Sequence, residues 1–60
     1  MYRMIEVVGV SNLSYAEASK SALAELQETE KVYWFEVVEM RGAVRDGKIE
    51  FQVKLNVGVK

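Results

Sequence analysis

Residues 33–42 read Tyr33-Trp34-Phe35-Glu36-Val37-Val38-Glu39-Met40-Arg41-Gly42, a stretch that contains the only tryptophan of the chain. Side chains of a β-strand alternate between its two faces, so this stretch predicts a strand that is apolar on both sides. One side would carry Tyr33, Phe35 and Val37, and the other would carry Trp34, Glu36, Val38 and Met40. The first side suits a hydrophobic core. The second predicts contact with another subunit, with a flat ligand, or with both.

The length of the chain limits how much it can bury by itself. Sixty residues are expected to form a single domain over residues 1–60. A domain of this size buries only about 60% of the surface that its unfolded chain exposes, and small domains compensate with disulfides, metals or oligomerisation. Cysteine and histidine are both absent, which excludes disulfides and the usual zinc sites. The composition therefore favours oligomerisation.

Charge and hydropathy narrow the classes of partner. The formal net charge of −1 gives no basic surface for nucleic acid. No apolar run approaches the roughly 20 residues that span a bilayer, and no signal-peptide pattern opens the chain. We therefore expect a cytoplasmic protein that binds neither nucleic acid nor a membrane.

The N-terminal part of the chain predicts a strand followed by a helix. Residues 2–8 alternate in the manner of a strand, which is expected to end at Gly9. Ser14 followed by Glu17 matches a capping box, so the helix should begin at Tyr15 and end near residue 27 or 28. Small residues in its apolar stripe would let a curved sheet approach the helix closely. The stripe consists of Tyr15, Ala18, Ala22, Leu23 and Leu26.

The C-terminal part predicts a β-hairpin. Asp46-Gly47 is the strongest turn signal in the chain and predicts a type I′ turn. From Ile49 to Val59 apolar and polar residues alternate without interruption, as in a long, half-buried strand. If this third strand lies between the other two, all neighbouring strands are antiparallel. The sequence therefore predicts an α+β fold, a two-layer βαββ domain whose three-stranded antiparallel sheet, in the order 1-3-2, wraps around one helix.

The hairpin register predicts a β-bulge. Continuous pairing back from the turn would set Phe35 opposite Gly58, so core and polar positions would share a face. We expect a bulge within residues 41–44, with Gly42 as its site, to correct this conflict. Past the bulge, Phe35 would lie opposite Val57 and the apolar faces would agree.

Residues suited to catalysis are few. Histidine and cysteine are absent, the only aspartate lies in the turn, and the serines lie around the helix without an activating base nearby. Glutamates such as Glu6, Glu36 and Glu50 could attract a hard cation, but no loop offers closely spaced oxygen ligands. We expect no catalytic site and no metal site, and a binding protein rather than an enzyme.

Trp34 and Gln52 are expected on the same outer face of the sheet. An indole there serves either as an interface anchor or as a stacking surface for a ring. The carboxamide of Gln52 can match a heterocycle edge of alternating carbonyl and N–H groups. In the expected register Gln52 lies opposite Met40, about 20 Å along the strand from Trp34. One ring could therefore use both residues only across two subunits.

Several segments of the chain match the pattern of a known family. The most specific is Trp34-Phe35-Glu36-Val37 with Gln52 downstream. The others are Glu6-Val7-Val8-Gly9 with Ser11 and Ser14, Glu39 with Arg41-Gly42, and Gln52-Val53 with Val57-Gly58. On these segments, which run nearly from end to end, the chain resembles the dodecins, a family of small flavin-binding proteins.

The resemblance implies both an assembly and a ligand. Dodecins are homododecamers that stack flavins between tryptophans of symmetry-related subunits, store or sequester flavin, and protect against its photochemistry. By resemblance Trp34 stacks on the flavin, Gln52 binds the ring edge, and Val38 and Arg41 belong to the flavin site. Riboflavin, FMN and FAD stay open as ligands. Many dodecins continue beyond the position of Lys60 with an arginine, which in some of them helps to hold phosphate. The alternative is a flavin-free homo-oligomeric shell or interaction module, in which Trp34 is only an interface anchor.

Overall fold

A computed structural model describes residues 2–60 of the chain. These residues contain three strands and one helix. β1 spans Arg3–Ser11, α1 spans Tyr15–Leu26, β2 spans Val32–Arg45 and β3 spans Lys48–Val59. The sheet order is β1-β3-β2, and both neighbouring pairs are antiparallel. The predicted βαββ fold with a 1-3-2 sheet around one helix is therefore confirmed.

The core lies between α1 and the central strand. Its buried apolar residues are Ala18, Ala22, Val53, Leu55, Val57 and Val59. The β3 members of this set are every second residue, which confirms the alternation predicted for the third strand. Within residues 2–60, no helix has the length and apolarity that crossing a membrane would require.

The start of α1 follows from its capping residue. The Ser14 Oγ accepts a hydrogen bond from the Glu17 backbone N–H at 3.0 Å, which satisfies one of the free donors of the first turn. The helix begins at Tyr15, as predicted, and its last residue is Leu26. Its end therefore lies within two residues of the expected position.

Gly9 is a point of close approach between α1 and β1. A Cβ atom added there would overlap the Ala18 carbonyl oxygen and lie 2.9 Å from both the Ala18 carbonyl carbon and the Ala22 Cβ. The prediction that Gly9 ends the first strand is wrong, because pairing continues to Ser11 opposite Phe51. The close packing predicted from the alanine stripe is present, and it requires glycine in the facing strand.

The hairpin between β2 and β3 has the predicted turn. Arg45 pairs with Lys48, which leaves Asp46 and Gly47 as the two turn residues. Their φ angles are 52° and 76°, and a type I′ turn needs positive φ at both of its central positions. The hairpin register therefore begins where the sequence predicts it.

The bulge that resets this register lies at Val38, so the predicted site at Gly42 is wrong. The pairing skips Val38 between the paired residues Val37 and Glu39, whereas Gly42 is itself paired with Phe51. A bulge adds one unpaired residue to a strand, and only the type with a left-handed first residue calls for glycine. Gly42 is not among the residues with positive φ, so its backbone needs no glycine here.

The position of the bulge determines which residues of β2 face the helix. Phe35 pairs with Val57, as predicted, and lies on the helix side. Met40 lies beyond the bulge and pairs with the buried Val53. Directly paired residues of an antiparallel sheet point to the same face. Met40 therefore belongs to the inner face, and its predicted outward position is wrong.

The inner face of the sheet extends beyond the helix. Phe35 and Val37 face the helix side, yet they remain 44% and 45% exposed. The reason is that α1 packs mainly on β1 and β3, while the long hairpin projects past it and gives the molecule dimensions of 44 × 20 × 13 Å. A single chain therefore leaves apolar residues uncovered on both faces of its sheet.

Gly42→Ala is expected to change the free energy of unfolding by less than about 0.5 kcal/mol. The added Cβ would lie 3.6 Å from the Glu50 carbonyl oxygen and 3.8 Å from the Tyr15 hydroxyl, both ordinary contact distances. Urea unfolding of both proteins at the same chain concentration measures the difference. A loss above about 1.5 kcal/mol would mean that Gly42 needs a conformation restricted to glycine.

Candidate ligand-binding site

The outer face of the sheet, which points away from α1, carries both Trp34 and Gln52. Trp34 lies opposite Gly58, and Arg41 lies opposite Gln52. Gly58 and Gln52 are an even number of residues apart on β3, so Trp34 and Gln52 share one face, as predicted. With β1 included, successive rows of this face are Met4–Gly58–Trp34, Glu6–Asn56–Glu36, Val8–Lys54–Glu39 and Val10–Gln52–Arg41.

The indole of Trp34 lies across the backbone of Gly58. A Cβ atom added to Gly58 would overlap the indole Nε1 and lie 2.7 Å from Cε2 and 2.8 Å from Cδ1. Trp34 is nevertheless 46% exposed. The ring is thus supported by backbone on one side and open elsewhere, an arrangement in which a flat ligand can stack on it. Sequence reasoning assigned no role to Gly58, although it directly precedes the last core residue of β3.

Gln52 is held between two charged side chains. The Arg41 Nε donates a hydrogen bond to Gln52 Oε1 at 2.8 Å, and Gln52 Nε2 donates one to Glu50 Oε1 at 2.8 Å. The predicted position of Gln52 opposite Met40 is wrong, because the bulge at Val38 sets it opposite Arg41. Sequence reasoning did not anticipate the hydrogen bond between Gln52 and Glu50. Its signal was the spacing of two residues from Gln52 on one strand.

Trp34 and Gln52 do not meet within one chain. Gly58, the partner of Trp34, lies six positions along β3 from Gln52, which corresponds to about 20 Å. The separation expected from the sequence is therefore confirmed. Arg41 lies at the Gln52 end of this distance, and the half-exposed Val38 lies between the two ends, at the bulge.

A small hollow lies beside Gln52 on the outer face. Its volume is about 30 Å³, room for only a few water molecules. A hollow of this volume is too small to hold a ring. At its rim the Lys54 Nζ lies 3.8 Å from the Glu39 carboxylate, so these two charges partly compensate each other. One chain therefore does not enclose a ring here. The hollow is lined by Val8, Glu39, Arg41, Gln52, Val53 and Lys54.

A larger groove runs between β1 and the C-terminal half of α1. Its volume is about 510 Å³, and Val7, Ala22 and Leu26 are among the residues that line it. None of the predicted flavin-site residues lines this groove. Within residues 2–60, no three side chains of histidine, cysteine, aspartate or glutamate come together in a way that could hold a metal ion.

Comparison with known proteins identifies relatives of this chain. The family model described as Dodecin matches residues 1–60. The dodecin from Streptomyces davaonensis is 36% identical with a TM-score of 0.92, over 98% of this chain and 90% of that one. The dodecin from Streptomyces coelicolor is 38% identical with a TM-score of 0.90, over 98% of this chain and 87% of that one.

A third solved structure is of a calcium-binding dodecin. The calcium dodecin from Mycobacterium tuberculosis, a calcium-chelating antigen with a novel calcium-binding site, is 29% identical with a TM-score of 0.92. The match covers 100% of this chain and 89% of that one. The comparison with curated proteins gave no match. Because the family model matches from end to end and solved dodecins share the fold at these identities, the chain belongs to the dodecin family.

Proposed function

We propose that this protein binds flavin, stores or sequesters it, and protects the cell against its photochemistry, acting as a homododecamer without catalysis of its own. The observation that carries the proposal is the outward indole of Trp34, backed by Gly58 and open on the outer face. Gln52 supplies polar groups for the edge of a ring on the same face. The cytoplasm stays the expected compartment.

The separation of Trp34 and Gln52 supports a site shared between subunits. About 20 Å is more than a single isoalloxazine ring can bridge while it stacks on one residue and bonds to the other. Two copies that meet with their outer faces together can place Trp34 of one copy near Gln52 of another. The flavin site proposed here therefore includes Trp34, Val38, Arg41 and Gln52, with each ring contacted by more than one chain.

The small core supports assembly independently of the ligand. Within residues 2–60, six apolar residues are buried. This is little for a domain of this size, since small domains without disulfides or metals need additional burial. Phe35, Val37 and Met40 on the inner face and Val8 and Met4 on the outer face are all about half exposed or more. Contacts between subunits would bury this surface.

Sedimentation or light scattering is expected to find a large homo-oligomer, with the mass of a dodecamer. Dilution to low micromolar chain concentration should not release folded monomer, because a single chain lacks cover for both faces of its sheet. Circular dichroism measured on the same samples reports whether the chain is folded. A stable, folded monomer at that concentration would contradict the assembly and the shared site together.

The test of the proposed function is flavin binding by the purified protein. A visible absorption spectrum shows whether flavin is retained, and titration with riboflavin, FMN and FAD ranks the ligands. Bound flavin should lose its fluorescence, because indole in contact with an excited isoalloxazine can donate an electron to it. A colourless protein that also ignores all three added flavins would favour the flavin-free shell, in which Trp34 anchors an interface.

A further inference from the structure

A line of polar contacts crosses the outer face between β2 and β3. Arg41 donates to Gln52 at 2.8 Å, Gln52 donates to Glu50 at 2.8 Å, and the Arg45 guanidinium lies 3.7 Å from the Glu50 carboxylate. Gln52 and Glu50 are partly buried, while Arg45 is largely exposed. Gln52 therefore lies between Arg41, which donates to its carbonyl oxygen, and Glu50, which accepts from its N–H₂ group.

The chemistry of its two partners fixes the orientation of the Gln52 carboxamide. Arginine carries donors only, and an ionised carboxylate carries acceptors only. An inverted carboxamide would turn its N–H₂ group toward the guanidinium of Arg41 and its oxygen toward the carboxylate of Glu50. Both contacts would then be repulsive. With Arg41 and Glu50 in place, Gln52 retains one unused N–H and one unused lone pair on Oε1, in a defined order.

We infer that Glu50 is a positioning residue for ligand recognition: it holds Gln52 so that the free N–H and the free carbonyl lone pair face a ring edge in a fixed order. This inference rests on the proposed flavin binding. The pyrimidine edge of a flavin has an N–H at N3 between two carbonyl groups. Gln52 can accept from N3–H and donate to one neighbouring carbonyl oxygen, and a ring that lacks this N–H loses one of the two bonds.

Glu50 also has a structural contact, and the two roles predict different results. Its approach to Arg45 joins β3 to β2 near the turn, so removal of Glu50 could loosen the hairpin. A loosened hairpin would weaken the binding of every ligand by the same factor. Loss of positioning would instead weaken the binding of ligands with a free N3–H more than that of ligands without one.

The experiment is a titration of riboflavin, and of riboflavin methylated at N3, into wild type and variants. We expect wild type to prefer riboflavin by about tenfold, the cost of one polar pair left unmade. Glu50→Ala should lower riboflavin affinity about fivefold and reduce the preference to about twofold. Glu50→Gln, which keeps a carbonyl acceptor, should retain most of the preference.

A double-variant comparison isolates the contact between Glu50 and Gln52. In a Gln52→Ala background, Glu50→Ala should have no further effect on affinity, because there is no carboxamide left to orient. Glu17→Ala is the matched control. It removes the same charge and an exposed ion pair with Lys20, at 3.6 Å, in α1, and should leave both affinities unchanged.

The failures are distinguishable. If Glu50→Ala weakens both ligands equally, or still weakens binding when Gln52 is already alanine, Glu50 is only structural and the inference is wrong. If wild type binds riboflavin and Glu50→Ala matches it with both ligands, the inference alone is wrong. If wild type binds neither ligand, the proposed flavin function fails and the inference fails with it.

Discussion

Trp34→Ala is expected to weaken flavin binding by about a hundredfold, which corresponds to ~2.8 kcal/mol. The indole is 46% exposed on the outer face and rests on Gly58, so the proposed ligand would meet a ring that is already supported. Removing it forfeits the apolar contact area and the stacking, which adds roughly 0.5–1.5 kcal/mol for each aromatic pair. Riboflavin titration followed by fluorescence quenching measures the change.

Tyr33→Ala is the control for this prediction. Tyr33 is the neighbouring aromatic residue and is similarly exposed, at 42%, but its ring packs edge-on against Tyr2 at 5.1 Å and lies under the Lys31 ammonium. Its loss should change flavin affinity by less than about threefold. Both variants should be checked for oligomer size. If Trp34→Ala assembles normally and binds flavin as tightly as wild type, stacking is refuted. A variant that fails to assemble would instead identify Trp34 as an interface anchor.

Gly9→Ala is expected to destabilise the fold by about 3 kcal/mol or more. The new Cβ would overlap the Ala18 carbonyl oxygen and lie 2.9 Å from Ala22 Cβ. Backbone of a packed helix cannot move aside as a flexible side chain can, so α1 would have to shift away from β1 as a unit. A domain of this size has a total stability of about 3–9 kcal/mol. The variant should therefore be largely unfolded or fail to assemble.

Thermal and urea unfolding at fixed chain concentration, with the oligomer size measured in parallel, test this expectation. Gly42→Ala supplies the control, because it adds the same methyl group to a strand of the same sheet where the nearest atom is 3.6 Å away. A stability of Gly9→Ala within about 1 kcal/mol of wild type would show that α1 and β1 separate easily. The helix would then not be locked against the sheet at this glycine.

The two substitutions act on different properties of the molecule. Trp34 is exposed in the chain, so its removal should reduce binding while the core of Val53, Leu55 and Val57 stays intact. Gly9 lies beneath α1, so its substitution should reduce stability before it affects any ligand. If Trp34→Ala and Gly9→Ala each lowered both the flavin affinity and the stability, the binding site would be coupled to the core.

The sequence alone determines the architecture because its strongest signals are local. The turn at Asp46-Gly47 and the uninterrupted alternation of β3 set the hairpin and the buried face of its central strand. Together with the one-residue shift that the apolar faces require, the same alternation places Trp34 and Gln52 on one face and sets their separation. These properties follow from the two-residue period of a strand, from the turn, and from the need for the apolar faces of paired strands to agree.

The position of the bulge in β2 cannot be predicted from the sequence pattern. Agreement of the apolar faces requires a shift of one residue somewhere between the turn and Phe35, and any site in that interval satisfies it. The structure has the shift at Val38. The available signal was the pair of adjacent valines, Val37 and Val38, between Glu36 and Glu39, where apolar and polar residues cease to alternate. Gly42 is the predicted site only because one type of bulge has glycine at its first position.

Tertiary structure alone decided the contacts that join residues distant in sequence. Gly9 must be glycine because of where α1 crosses β1, and Gly58 leaves the space in which the indole of Trp34 lies against its backbone from another strand. The orientation of Gln52 likewise depends on Arg41, which the bulge at Val38 sets opposite it. Local pattern cannot supply such contacts, because the crossing point of a helix and the register beyond a bulge are set by the packing of the whole chain.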